Sequence, residues 1–174
     1  MSRIFIVLAA AAAIAIPIAS ASSTRVPYDR AFIDAMIPHH RMALQMARTA
    51  KSAGLSKPEL VKIANAILAT QSEEIRQMLR WRKTWYGSAA LTANPGLVLG
   101  MTPAMMGMDH MVHELHSGNV NVRFARMMVD HHQGAVRMAR QALIRATNPE
   151  IKALARRIIV NQQKEITVMQ KYSS

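Results

Sequence analysis

Two pairs of adjacent histidines, His39-His40 and His131-His132, are the residues in this chain best suited to chemistry. In each pair the first histidine follows a methionine by three residues and precedes another by seven: Met36, His39, Met46 and Met128, His131, Met138. Imidazole nitrogen and thioether sulfur suit a soft monovalent ion such as Cu(I) or Ag(I). The chain has no cysteine, so a soft-metal site must be built from methionine and histidine. A single histidine inside an apolar stripe is ordinarily a hydrogen-bonded core residue, held here by Glu74 or Glu165. Two copies, each bracketed by thioethers, point instead to a ligand set. His39 and His131 should face inward, with His40 and His132 about 100° round the helix on the shoulder of the stripe. Met42, inside the first motif, joins the candidates. Asp34, Asp130, Glu74 and Glu165 would orient imidazole N–H groups, or act as hard ligands if the ion is Cu(II).

A second group lies between the pairs. Met101, Met105, Met106, Met108, Asp109, His110, Met111, His113, Glu114 and His116 fall within sixteen residues. Some of these methionines could simply form an apolar face. That does not account for His110, His113 and His116, which recur at helical spacing. The segment reads as a second, more exposed metal-binding patch that captures an ion or passes it on.

Helices must position both groups. Phe32, Met36, His39, Ala43 and Met46 fall on one stripe at about 100° per residue, as do Phe124, Met128, His131, Ala135 and Met138. Each motif is followed by a second matching run, Gln71-x-x-Glu74-Ile75-x-x-Met78 and Gln162-x-x-Glu165-Ile166-x-x-Met169. A repeat of this length is one helical hairpin, and two hairpins close a four-helix bundle. The expected fold is therefore all-α. Repeat one spans about 28–87, a Met/His-rich connector 88–118 and repeat two 119–172, all in one domain from 22 to 174. Pro38 predicts a kink just before His39. Ser56-Lys57-Pro58-Glu59 fits a capping box, and Gly54 and Gly87 fit helix ends. Asn94-Pro95-Gly96 reads as a turn, with a short extra helix from Pro103 to His116.

Composition narrows the function. Residues 1–21 read as a cleavable signal peptide: Arg3, an apolar run from Ile4 to Ile16, then Ala19-Ser20-Ala21. The expected location is periplasmic or secreted, with no stable membrane insertion after cleavage. The formal charge is +12. Export, scarce aromatics and the absence of a recognition motif argue against nucleic acid, and the basic residues fit solvated helix faces. Ten acidic residues and no Glu-x-x-His pair fall short of a di-iron site. No nucleophilic triad or phosphate-binding loop is visible, so no enzymatic activity is expected.

These motifs resemble the bacterial family known as domain of unknown function 305. Its signature is a repeated Phe-x-x-x-Met-Ile-Pro-His-His-x-x-Ala-x-x-Met-Ala helix, with Gln-x-x-Glu-Ile after each copy. Phe32–Ala47 matches it nearly throughout; Phe124–Ala139 matches with Val-Asp in place of Ile-Pro. Trp85-Tyr86-Gly87 and Met105-Met106-Gly107-Met108 resemble the family's middle segment. The resemblance implies a ferritin-like bundle and an exported protein that binds copper and supports copper resistance. It also implies His39, His40, His131, His132, Met36, Met46, Met128 and Met138 as ligands. Two positions differ between the copies, Pro38 against Asp130 and Met42 against Gly134, so the two sites should differ. The expected function is to sequester or deliver copper, Cu(I) ahead of Cu(II), with Ag(I) as a further ligand. Its partner would be another periplasmic copper carrier or an exporter. The rival readings are a basic periplasmic chaperone or envelope-binding protein without a metal role, and, behind it, a ferritin-like oxidase.

Overall fold

The computed structural model describes residues 26–91, 93–109, 115 and 118–174. The leader segment, His110, Met111, His113, Glu114 and His116 lie outside that set. Five helices are formed among the described residues: α1 (Tyr28–Ser52), α2 (Pro58–Tyr86), α3 (Pro95–Leu99), α4 (Val120–Arg145) and α5 (Pro149–Met169). A 3-10 turn, Gln170–Tyr172, follows α5. The long helices begin and end where local chemistry dictates. Pro58 and Pro149 occupy the first turns of α2 and α5, where a missing N–H costs nothing. Gly87 closes α2 in the left-handed region, at φ 72°. Asn119 caps α4 by accepting from the N–H groups of Asn121 and Val122.

α1 packs on α2 and α4 on α5, and the hairpins meet through α1 against α4. The stripe residues Phe32, Met36, Met46, Phe124, Met128 and Met138 are all fully buried in one continuous core. Alanines 31, 35, 43 and 47 on α1 and 125, 135, 139 and 142 on α4 share it, and their small side chains let helices approach closely. The result is an all-α four-helix bundle. α1 remains helical through Pro38.

The hairpins also lock each other's turns. The Asp29 carboxylate, at the start of α1, accepts from Thr147 N, Thr147 Oγ1 and Asn148 N at 2.8–3.0 Å, just ahead of α5. At the matching place on α4, Asn121 Oδ1 accepts from Ser56 N and Lys57 N, both at 3.0 Å, just ahead of α2. This replaces the expected Ser56–Glu59 capping box: α2 has no side-chain cap, and Ser56 Oγ accepts from Asn121 Nδ2 instead. A partner from the other hairpin satisfies the same orphan donors.

The connector departs from expectation. The short helix is α3, at Pro95–Leu99, where a turn was expected. Pro103–Gly107, the expected helix start, forms turns. Gly107 interrupts helical geometry at φ +68°, and a Cβ there would lie 2.5 Å from the Asp130 carbonyl oxygen. The Met105–Gly107 turn is thus pressed backbone-first onto α4.

Candidate metal centre

His39 and His131 meet where α1 crosses α4. Their rings stack, with centroids 3.7 Å apart and planes 17° off parallel. The Nε2 of His39 lies 3.1 Å from the His131 carbonyl, and the Nε2 of His131 lies 3.0 Å from the His39 carbonyl. Both rings also reach the connector: His39 Nε2 is 2.9 Å from Met106 O, and His131 Nδ1 is 2.8 Å from Gly107 O. Burial is complete and disfavours charge, so His39 is held well below the usual imidazole range. Its three histidine neighbours push it further the same way. His131 falls to about 3, with burial outweighing its hydrogen bond to Gly107.

A neutral ring carries one N–H. His39 shares its Nε2–H between two carbonyls, which leaves Nδ1 buried and without a partner. His131 has a carbonyl facing each nitrogen, so only one of those contacts is a hydrogen bond. The inner histidines were expected to pair with glutamates if they were core residues. They pair with backbone carbonyls instead.

The glutamates belong to the other two histidines. His40 Nε2 donates to Glu74 Oε2 at 2.8 Å, and His132 Nε2 donates to Glu165 Oε2 at 2.7 Å. Both rings are fully buried rather than on the shoulder of the stripe. A helix packed on two sides hides a residue 100° from its main face: α2 covers His40 and α5 covers His132. The Nδ1 atoms of both are buried without a partner. Glu74 and Glu165 share the lining of a small polar cavity of about 10 Å³ with Gln71 and Gln162, roughly room for one water.

Thioethers fall into two sets. Met36, Met46, Met128 and Met138 are fully buried, and Met42 is half-buried. In the connector, Met101, Met106 and Met108 line one cleft of about 550 Å³ floored by Ala35 and Pro38 of α1. Met105 points outward, 45% exposed. His110, Met111, His113 and His116 lie outside the described residues.

Of the expected supporting carboxylates, Asp34 is bridged to Arg82, Nε to Oδ1 at 2.7 Å, with both side chains fully buried. Arg30 approaches its other oxygen at 3.8 Å. Asp130 is exposed on α4. Among the described residues no three His, Asp or Glu side chains gather closely enough to hold an ion.

Sequence reasoning missed Arg82, whose partner is 48 residues away. It also missed the hold on the connector, where Arg137 Nε donates to Met105 O at 2.7 Å beside the two histidine contacts. One signal was present. Gly134 stands where the first copy has Met42, and a Cβ on it would lie 1.8 Å from Met106 O.

The fold and the paired histidines define a helical bundle of two hairpins with imidazole and thioether groups buried at their junction. The chain belongs to the family described as domain of unknown function (DUF305), whose model matches residues 29–173. Among solved structures it is similar to CopM in the Cu(I)-bound form, with 31% identity and TM-score 0.69, covering 83% of this chain and 94% of that one. It is similar to CopM in the Cu(II)-bound form, with 34% identity and TM-score 0.71, covering 83% and 95%. A Streptomyces coelicolor DUF305 protein described as secreted matches with 27% identity and TM-score 0.74, covering 82% and 90%. No curated protein matches the chain.

Proposed function

We propose that this is an exported protein that binds copper as Cu(I) inside the bundle and sequesters or delivers it, without catalysis. The observation that carries this reading is the set of bare Nδ1 atoms on His39, His40 and His132, buried and without partners. Metal-binding histidines characteristically donate their other ring N–H to a carboxylate or carbonyl, which fixes the tautomer and aims the lone pair. His40 and His132 do this through glutamates, and His39 does it through backbone carbonyls. The ring centroids of His39 and His40 are 6.1 Å apart. Two metal–nitrogen bonds of about 2 Å each, plus the two ring radii, span about that distance. Met36 and Met46 stand on the same stripe of α1 and would supply the thioethers that make the site soft.

The relatives support the metal class: CopM structures hold Cu(I), Cu(II) and silver. The leader-like residues 1–21 and a relative described as secreted support export. Among the described residues no helix is long and apolar enough to cross a membrane. The partner is then another copper carrier or an exporter outside the cytoplasm.

The test is an anaerobic Cu(I) titration against a chromophoric competitor, run beside a His39→Ala/His40→Ala variant whose fold is checked by circular dichroism. Loss of tight binding in a folded variant is the expected result. Undiminished binding would overturn the site. A salt-sensitive association with unfolded or anionic partners that survives the substitutions, with no Cu(I) affinity, would favour the chaperone reading.

A further inference from the structure

The connector cleft is chemically distinct from the buried histidines. Its floor is Ala35 and Pro38, Leu97 forms one wall, and Met101, Met106 and Met108 supply three thioethers; among the described residues no imidazole and no charged side chain lines it. Methionine is usually a gap-filler. Here the gap stays open: about 550 Å³ remains among side chains that could have closed it. The Met106 methyl lies against the wall, 3.5 Å from where a Cβ on Gly96 would sit.

We infer that Met101, Met106 and Met108 form a thioether loading site for Cu(I), distinct from the bundle histidines and feeding them. This rests on the copper reading above and adds the route of loading. Neutral sulfur donors select soft monovalent ions over Cu(II) or Zn²⁺. They need no deprotonation, so the site accepts an ion without releasing a proton.

Two connections tie the cleft to the bundle. Its floor residues stand on the turn of α1 that leads directly into His39. The turn that carries Met106 is held through three successive carbonyls: Met105 O by Arg137, Met106 O by His39 and Gly107 O by His131. A change in the contacts of His39 therefore acts on the backbone of Met106. Loading of the histidines and the seating of the cleft are mechanically linked.

The experiment uses Ag(I), which undergoes no redox change, with the purified protein carrying ¹³C-labelled methionine methyls. The variants are Met101→Leu/Met106→Leu/Met108→Leu and His40→Gln, which leaves the His39 contact to Met106 O in place. Leucine is close to methionine in volume, so the cleft variant is expected to fold. In the wild type, Ag(I) should shift the Met101, Met106 and Met108 methyls, and Zn²⁺ should not. The same shifts should persist in the histidine variant. The leucine variant should lose that ion equivalent, keep the histidine-dependent one, and load it more slowly in stopped-flow mixing. Silent cleft methyls beside intact histidine-dependent binding would overturn this inference and leave the copper reading standing. Equal loading rates in wild type and leucine variant would overturn the feeding role. Absence of any Ag(I) or Cu(I) binding would remove both.

Discussion

The two hairpins carry the same residues at matching places and put them to different use. His40–Glu74 and His132–Glu165 are near copies, at 2.8 and 2.7 Å. His39 and His131 are not. His39 keeps a bare Nδ1, whereas both nitrogens of His131 face carbonyls. The cause is the connector, which lies on α4 and offers Gly107 O to His131. It can lie there because Gly134 has no side chain where the first hairpin carries Met42. A duplicated motif thus yields one pair with two bare Nδ1 atoms and one pair with a single such atom. One loop sets the difference.

The far ends differ as well, and this gives the largest expected effect. In the first hairpin, Asp34 and Arg82 form a fully buried ion pair, and Arg82 Nη1 also donates to Ser88 O. At the matching positions, Arg126 reaches only the Ser173 carbonyl in an exposed contact. Asp34→Ala leaves a buried guanidinium uncompensated and should cost about 3–5 kcal/mol. Arg126→Ala should stay within about 0.5 kcal/mol. Denaturant melts of the two variants compare them directly, and equal losses would erase the distinction.

Gly134→Ala tests the cause of the asymmetry. Its new methyl would meet backbone, not a flexible side-chain end, so the Met106 turn must move. Overpacking of this kind costs about 1–3 kcal/mol. The turn's displacement should also free His131 Nδ1. Thermal melts read the first effect, and the number of Cu(I) equivalents reads the second. A variant as stable as wild type would show that the turn is not pinned there.

Glu74→Gln and Glu165→Gln sharpen the comparison at the metal. Removing the group that orients a ligating imidazole typically weakens affinity about 10–100-fold. The loss should appear at Glu74, where two adjacent bare Nδ1 atoms stand behind it, and be smaller at Glu165. Competition titrations giving the reverse order would assign the site to the second hairpin.

Most of the scaffold was legible because it is periodic. The stripes through Met36, His39 and Met46 and through Met128, His131 and Met138 mark the core faces, and Pro58, Gly87 and Pro149 mark ends of α2 and α5. What escaped depends on contacts between elements. The burial of His40 follows from α2 closing over a second face of α1. The stacking of His39 on His131 follows from where α1 crosses α4. The connector's turn depends on one left-handed glycine seated on another helix. In each case a residue's neighbours lie tens of positions away, beyond the reach of local spacing.

The inner pair makes a final prediction through pH. His131 titrates near 3 in the folded chain and near its ordinary 6.5 when unfolded, and His39 is shifted in the same direction. A depressed histidine pKa means that the unfolded chain binds the extra proton below 6.5. Stability is therefore full above that pH and falls as pH drops toward 3, by up to about 1.4 kcal/mol per pH unit for each such ring. In the metal-free protein, Tm should be level from neutral pH down to about 6.5 and then decline. His131→Asn removes one of the two titrations, so its decline should be shallower even though its starting Tm is lower. The residual slope belongs largely to His39. A wild-type decline no steeper than that of His131→Asn would mean that the second carbonyl facing His131 holds its ring as the imidazolium. The second hairpin would then carry a buried cation where the first carries a lone pair.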